Sequence, residues 1–239
     1  MANPRAAMLV IGDEILSGRT RDSNMYFLAK ELTRVGIDLR EVRMVADVHA
    51  DIVAALRALS GAYDHVFTCG GIGPTHDDIT ADAVAEAMGA AVGQRADAMA
   101  LLAAHYVGQG QPFNEARQRM ARIPDGARLI DNPISVAPGF SIGNVHVMAG
   151  VPKIFESMVA SVLPGLTGGD PLLSQSFRVL RGEGEIAGQF GVLAAEYPDL
   201  SMGSYPFSLN GAFGTNLVIR GTDPARLAAA MMQLSKLFG

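Results

Sequence analysis

The chain has 239 residues, of which 24 are acidic and 19 basic, and 49% of its residues are hydrophobic. This composition excludes a disordered protein and fits either one large domain or a medium domain with a small one. The formal charge of −5 argues against nucleic-acid binding, no apolar run reaches the roughly 18–20 residues that span a bilayer, and the lone Cys69 excludes an intrachain disulfide framework. We therefore expect a soluble, cytoplasmic protein with no membrane or nucleic-acid partner.

Segments typical of strands and helices alternate through the first 90 or so residues. Short apolar runs predict strands at 6–11, 37–45 and 64–69. Helical spacing of apolar residues, with polar starts and glycine stops, predicts helices at 22–36, 47–61 and 78–89. Alternation at these lengths predicts βαβ units, and therefore an α/β fold with a mostly parallel sheet flanked by helices.

Residues 95–168 continue this pattern less regularly. The predicted elements are helices at 95–110 and 114–124, a hairpin at 139–150 and a helix at 151–166. The hairpin prediction depends on Gly143-Asn144, which stands between alternating apolar positions. Residues 165–175 are rich in glycine and form the predicted linker.

A different order of elements follows this linker. The predictions are a strand at 176–182, a helix at 185–197, strands at 200–206 and 215–221, and a helix at 223–238. This β-α-β-β-α order predicts a small α+β module of roughly 65 residues, a usual size for a compact unit. We therefore divide the chain into a domain at 1–168 and a module at 172–239.

A glycine-rich loop, CGGIGPTHDD (69–78), follows the third predicted strand. It is not a Walker A loop, because no Lys-Ser/Thr pair follows Gly73, and the last glycine of the Rossmann fingerprint is missing as well. Glycine amides and a helix N-terminus can still hold a phosphate. Because Asp77 and Asp78 would repel that phosphate, this interpretation requires a divalent cation. The residues alone leave open the alternative that Asp78 simply caps the next helix.

Acidic residues also follow the other two predicted strands. Asp13, Glu14, Asp47 and Asp78 all stand where a strand passes into a helix, and parallel strands bring these positions to one edge of the sheet. Any one of them alone is typical of a cap or a turn. Together they predict a site for a metal-bound phosphoester or pyrophosphate, with Asp13, Glu14 and Asp78 as candidate metal ligands.

Five motifs occur in the order found in one protein family. They are GDEILSG (12–18), DSNMYFLAKELTRVGID (22–38), GGIGPTHDDITADAVAEAMG (70–89), NPISVAPGF (132–140) and AGVPKIFESM (149–158). Residues 5–166 thus resemble the molybdopterin-binding (MoaB/Mog-like) domain, closest to its CinA branch, the competence/damage-inducible protein A family. The GPTHDD form also resembles the molybdopterin-binding-like domain of FAD synthases. Residues 172–239 resemble the small KH-like module of CinA proteins, and the resemblance does not extend to the CinA deamidase domain.

The resemblance implies a role for particular residues. Asp47 and Asp78 match two aspartates associated with catalysis, and Asp13 matches the acidic residue after the first strand. The other implied ligand-binding positions are Gly12, Gly70, Gly71, Gly73, Pro74, Thr75, Asn132, Pro138, Gly139, Gly150 and Pro152. This chain departs from the family at Ala149, where proline is usual. Glu14 stands where Mog-like enzymes tend to have a basic residue, which argues against molybdopterin adenylylation.

Three functions remain as hypotheses. The resemblance implies a pyrophosphatase that uses a divalent metal (Mg²⁺ or Co²⁺, with possible potassium dependence) to hydrolyse ADP-ribose, FAD or a similar nucleoside diphosphate derivative to AMP and a phosphorylated product. The alternative is a molybdopterin- or nucleotide-binding protein of molybdenum cofactor metabolism with little catalysis. A third, nucleic-acid binding through GAFG (211–214), conflicts with the chain's charge, and we predict a hairpin turn there. Relatives of the fold imply a homo-oligomer, a dimer or a trimer.

Overall fold

The computed structural model describes residues 3–209 and 211–239. They form two compact units that divide between Gly169 and Asp170. No helix in these described ranges is long and apolar enough to cross a membrane.

The first unit is built on a six-stranded sheet. Its strands are β1 (Arg5–Ile11), β2 (Asp38–Val45), β3 (His65–Cys69), β6 (Arg128–Ile130), β7 (Gly139–Ile142) and β8 (Val145–Met148). They are arranged in the order β2-β1-β3-β8-β7-β6. The first four are parallel to one another, and β7 is antiparallel to both of its neighbours. The predicted mostly parallel sheet and the predicted hairpin are therefore confirmed.

Helices cover both faces of this sheet. They are α1 (Asp13–Leu16), α2 (Asn24–Arg34), α3 (His49–Ala62), α4 (Thr80–Met88), α5 (Ala96–Gly108), α6 (Glu115–Arg119) and α7 (Pro152–Val162). A two-stranded sheet of β4 (Val92–Gln94) and β5 (Arg122–Pro124) completes the unit, with a short 3₁₀ turn at Leu163–Gly165.

The side chains of the central strand β1 contribute to two hydrophobic cores, one on each face of the sheet. Its side chains alternate between the faces of the sheet, as a period of two requires. Ala7, Leu9 and Ile11 pack with α3, α4 and α5 on one face. Ala6, Met8 and Val10 pack with α2 and α7 on the other. Because both faces are covered, the strand is an unbroken apolar run, as in other parallel sheets.

One helix was not predicted from the sequence, and another was predicted to be too long. Residues 13–16 form the short helix α1. The predicted helix at 114–124 ends at Arg119, and its last residues form β5 instead. The reason is tertiary, because residues 122–124 pair with β4, more than 25 positions earlier in the chain.

The second unit has the predicted β-α-β-β-α order. Its elements are β9 (Leu173–Val179), α8 (Glu183–Glu196), β10 (Ser201–Leu209), β11 (Ala212–Gly221) and α9 (Pro224–Phe238). The strands form an antiparallel sheet in the order β10-β11-β9, and both helices contribute to its own apolar core. Asp223 caps α9 by accepting hydrogen bonds from the backbone N–H groups of Ala225 and Arg226. The segment 211–214 lies at the β10–β11 hairpin and the start of β11, not between helices.

Candidate functional site

A cavity of the first unit lies at the carboxyl edge of its sheet. It has a volume of about 500 Å³. Its lining comes mainly from the segments that follow β1, β2, β3, β6 and β8, whose carboxyl ends all meet at this edge. Open α/β sheets bind ligands at this place, because the loops there face a common crevice.

The loop after β3 takes a backbone path that requires glycine. Gly70 has φ of 108° and Gly71 has φ of 67°, both in the region that other residues rarely adopt. A Cβ on Gly70 would also collide with the carbonyl oxygen of Ile11, and one on Gly71 with the hydroxyl of Thr80. Thr80 fastens the loop to the start of α4, donating from Oγ1 to the Gly70 carbonyl at 3.0 Å. The loop is therefore tightly packed at its base while Gly70, Gly71, Gly73 and Pro74 line the cavity.

The segment after β8 approaches this loop closely. A Cβ on Gly150 would lie 3.3 Å from the Cα of Gly70, so a side chain there would press on the glycine loop. The Gly70 N–H donates to the carbonyl of Met148 at 3.1 Å. Gly150 and Pro152 consequently line the same cavity as the loop, although 80 residues separate them in sequence.

Asp13 and Asp47 form a reciprocal pair across the ends of β1 and β2. The backbone N–H of Asp13 donates to Oδ2 of Asp47 at 3.0 Å, and the N–H of Asp47 donates to Oδ1 of Asp13 at 3.3 Å. Partial burial raises the pKa of the Asp47 carboxyl, and the nearby charges of Asp13, Glu14 and Asp77 raise it further. The Asp47 carboxylate is thus held in place in surroundings that disfavour its negative charge.

Asp78 fixes the end of the glycine loop. Its Oδ2 accepts hydrogen bonds from the Thr75 N–H at 2.8 Å and the Thr75 hydroxyl at 2.6 Å. Helix α4 starts only at Thr80, with Ile79 at its N-cap position and no side-chain cap bond. The alternative that Asp78 caps this helix is therefore wrong. Arg119 supports the same turn, because its Nε donates to the Thr75 carbonyl at 3.2 Å.

The charge of the cavity is one-sided. Four carboxylates line it, those of Glu14, Asp47, Asp77 and Asp78, and among the described residues of the lining there is no lysine or arginine. Within residues 3–209 and 211–239, no three His, Cys, Asp or Glu side chains lie close enough together to hold a metal ion by themselves. Asp13, Glu14 and Asp78, the predicted metal ligands, therefore do not form such a group by themselves.

The second segment predicted to face the ligand is held by one buried amide. Asn132 is 2% exposed, and its Nδ2 donates to the Ser135 hydroxyl at 2.6 Å and the Ala137 carbonyl at 2.8 Å. It thereby supports Val136, whose φ of 66° is strained for a β-branched residue. Backbone strain of this kind is concentrated at functional sites.

The structure brings most of the predicted residues together. The cavity is lined by Gly12, Glu14, Asp47, Gly70, Gly71, Gly73, Pro74, Asp78, Asn132, Gly150 and Pro152. Asp13 and Thr75 reach it through their bonds to Asp47 and Asp78. Pro138 lines a smaller adjoining hollow, and Gly139 is buried in β7 opposite Ile130, away from the lining.

Sequence reasoning missed four polar residues. Thr20 and Ser135 line the cavity, Arg119 supports the loop from outside, and Asn24 contacts Gly150. Asn24 had a signal in the sequence, because it belongs to the DSN at the start of the second motif. Arg119 had none, since its place beside residue 75 depends on the fold of the intervening chain.

Comparisons with known proteins agree with this architecture. Residues 7–168 match the family model described as "Probable molybdopterin binding domain", and residues 171–239 match "FAD synthase, middle domain". The chain is 33% identical to the probable FAD synthase of Caenorhabditis elegans over 97% of this chain and 49% of that protein. It is 33% identical to the CinA-like protein of Myxococcus xanthus over 67% of this chain and 39% of that protein. The chain thus spans about half the length of the first relative and less of the second.

A solved structure supports the same assignment. The crystal structure of the protein CinA with unknown function from Thermoplasma acidophilum has a TM-score of 0.63 and 32% sequence identity, and the match covers 69% of this chain and 99% of that chain. Together with the family match over residues 7–168, this confirms the resemblance inferred from the motifs. The chain therefore belongs to the probable molybdopterin binding domain family, is similar to CinA proteins over that domain, and resembles FAD synthases along nearly its whole length.

Proposed function

We propose that the protein is a metal-dependent pyrophosphatase acting on ADP-ribose, FAD or a similar nucleoside diphosphate derivative. The observation that carries this proposal is the combination of a glycine-rich loop with four carboxylates and no cationic side chain in the described lining. A diphosphate would be repelled by such a cavity unless a divalent cation entered with it. An acidic phosphate site is therefore better suited to a metal–diphosphate complex than to a free anion.

Each part of the cavity has a role in this reaction. The backbone N–H groups of Gly71 and Gly73, with the N-terminus of α4, would donate hydrogen bonds to the phosphate oxygens. Asp78, held by Thr75, faces the cation side of the complex. The metal, when bound, would neutralise the charge that builds on the bridging phosphate. The raised pKa of Asp47 makes its carboxylate the better base for orienting a water molecule.

In the proposed hydrolysis, a water molecule attacks one phosphorus of the diphosphate. The water oxygen forms a bond to the phosphorus of the AMP half, and its proton passes to the Asp47 carboxylate. The bond from that phosphorus to the bridging oxygen breaks, and the bridging oxygen leaves as part of the second phosphate. The products are AMP with ribose 5-phosphate from ADP-ribose, or AMP with FMN from FAD.

The direct test is release of AMP by the purified protein. We expect AMP from ADP-ribose or FAD in the presence of Mg²⁺ or Co²⁺, and none when the metal is chelated. Potassium and sodium salts are compared at equal ionic strength, because the resemblance leaves a potassium dependence open. Tight binding of the nucleotide or of molybdopterin with no AMP release from any metal-supplemented reaction would overturn the pyrophosphatase proposal in favour of a binding protein.

A further inference from the structure

The three-stranded sheet of the second unit has one face that its helices leave open. Helices α8 and α9 pack on the face that carries Leu217 and Ile219 of β11, and both of these side chains are fully buried. Because side chains alternate along a strand, Asn216, Val218 and Arg220 lie on the opposite face, where they are partly exposed. The sheet thus has one covered face and one open face.

A hollow of about 380 Å³ lies on the open face. It is lined by six residues of the three strands, Ser176, Arg178, Tyr205, Asn216, Val218 and Arg220. None of these described residues is acidic, and no acidic residue of the second unit belongs to β9, β10 or β11. Two arginines therefore give this face a positive charge, although the formal charge of the whole chain is −5.

Both arginines are positioned by aromatic rings. The guanidinium carbon of Arg178 lies 4.7 Å from the centre of the Phe207 ring, and its Nε donates to Oδ1 of Asn216 at 3.1 Å. The guanidinium carbon of Arg220 lies 6.0 Å from the centre of the Tyr205 ring, and its Nη2 donates to the Tyr205 hydroxyl at 3.4 Å. These contacts orient the two guanidinium groups and leave their charges in place.

Most hydrogen-bond donors of these two arginines are free. Within the part of the chain that the structure describes, neither Arg178 nor Arg220 forms an ion pair, whereas Arg226 of the same unit pairs with Asp199 at 2.6 Å. A guanidinium has five N–H groups, and each of the two uses one of them in a hydrogen bond to a described residue. The remaining groups match the geometry of an oxyanion.

We propose that the open face binds a phosphorylated small molecule, with Arg178 and Arg220 as donors to its phosphate oxygens. This site goes beyond the proposed function, because it lies in the other unit. A phosphate brings about two negative charges and three acceptor oxygens, more of each than a carboxylate, so it suits two arginines. Val218 gives the hollow an apolar floor for the organic part of the ligand, and Ser176 and Asn216 add polar groups beside it.

The size of the hollow and the charge of the chain favour a small ligand. Pockets that hold small molecules have volumes of roughly 300–1,000 Å³, and this hollow lies in that range. A nucleic acid would instead need a broad cationic surface, which a chain with a formal charge of −5 does not favour. A mononucleotide is therefore the probe of choice.

An NMR titration of the full chain in buffer freed of divalent metal by a chelating resin tests the proposal. The acidic cavity of the first unit then holds no cation, so a nucleotide is not expected to bind there. AMP should shift the backbone amide resonances of Ser176, Asn216 and Val218, whereas adenosine, which lacks the phosphate, should not. No shift with AMP, or equal shifts with adenosine, would overturn the proposal without the need for any variant.

Charge-matched variants locate the site. Arg178→Gln and Arg220→Gln should each weaken AMP binding about tenfold, as expected for the loss of a charged hydrogen-bond donor. Arg181→Gln removes the same charge from an exposed arginine that does not line the hollow, and it should bind AMP like the wild type. An equal loss of affinity in all three variants would show a general effect of charge and would overturn the site.

Two further ligands test the class of partner. Shifts as large with succinate, a dicarboxylate, as with AMP would overturn the assignment to phosphate. Binding of a short single-stranded oligonucleotide without binding of AMP would overturn the assignment to a small molecule.

The site and the pyrophosphatase proposal can fail separately. The double variant Arg178→Gln/Arg220→Gln should release AMP from ADP-ribose with Mg²⁺ at the wild-type rate. If the wild type binds AMP on the open face but releases none from ADP-ribose, this site stands and only the pyrophosphatase proposal is rejected.

Discussion

Both edges of the six-stranded sheet carry polar residues, which are neutral at the amino edge and mostly acidic at the carboxyl edge. At the amino edge, the Ser141 hydroxyl lies 2.9 Å from Nδ1 of His146, and Nε2 of His146 lies 3.4 Å from Nδ1 of His65. Nearby, the side chain of Asn144 donates to the carbonyls of Ser60 and Tyr63. At the carboxyl edge, four carboxylates surround a cavity of about 500 Å³.

This difference is the reason why we place the proposed site at the carboxyl edge. Neutral donors and acceptors at the amino edge satisfy one another, so that cluster is complete within the chain. At the carboxyl edge, partial burial and the nearby charges of Asp13, Glu14 and Asp77 raise the pKa of Asp47, and we propose that a cation bound with the ligand completes this cluster. A histidine pair beside a serine suggests catalysis from its residue types alone, but here these side chains pair with one another and lie outside the lining of the cavity.

The largest expected effect is a loss of activity when a carboxylate of the carboxyl edge is removed. Asp47→Asn and Asp78→Asn should each lower AMP release by roughly 10²–10³-fold, because each removes a carboxylate that acts on the phosphate or the water. The matched control is Asp125→Asn, at an exposed turn outside the cavity, which should retain wild-type rates. Initial rates with ADP-ribose and Mg²⁺ measure this. Activity that survives in both cavity variants would place the chemistry elsewhere.

The next effect concerns the glycine loop of the same edge. Gly70→Ala should destabilise the protein by about 3 kcal/mol, because alanine is strained at a φ of 108° and its Cβ meets the Ile11 carbonyl. Gly61→Ala, in α3 with open space around the site of its Cβ, should instead stabilise it by about 0.5–1 kcal/mol. Urea unfolding of the two variants measures both signs, and a harmless Gly70→Ala would contradict the loop geometry.

Low pH should destabilise the protein through His146 at the amino edge. Burial, with smaller effects of His65 and Arg128, lowers the pKa of His146 to about 4, below its unfolded value of 6.5. The unfolded chain therefore binds a proton first, and stability present above pH 6.5 is lost as the pH falls through 4, by about 3 kcal/mol. His146→Gln should show a flatter dependence between pH 6.5 and 4. Identical slopes for the variant and the wild type would count against a buried neutral histidine.

The smallest effect is a gain in stability from the carboxyl edge. Because the pKa of Asp47 is raised on folding, its ionised form destabilises the native state at neutral pH, and this penalty disappears as the pH falls through the folded-state value. Asp47→Asn keeps an oxygen to accept the Asp13 N–H bond, so it should raise stability at pH 7 by less than about 1 kcal/mol. Thermal unfolding at pH 7 and pH 3 checks this, and the gain should shrink at pH 3. A lower melting temperature at pH 7 would show that the carboxylates do not repel.

Much of the fold could be predicted from the sequence. The apolar run at 6–11 became β1, and the glycine at 89 ends α4 in the left-handed conformation, because both signals act over a few residues. The role of Asp78 could not be predicted in this way. An aspartate that caps a helix and one that holds a loop together have the same sequence signature. Only the hydrogen bonds that Asp78 accepts from Thr75 distinguish the two roles.

The sequence by itself determined the strands and most of the helices, the family, and the presence of acidic residues and glycines after successive strands. The tertiary structure alone decided that the backbone of Asp13 bonds the carboxylate of Asp47, that Gly150 lies close to Gly70, and that the buried side chain of Asn24 donates to the Gly150 carbonyl. The reason is that local patterns specify a strand but not its neighbours. The strand order β2-β1-β3-β8 places these distant segments at one edge of the sheet.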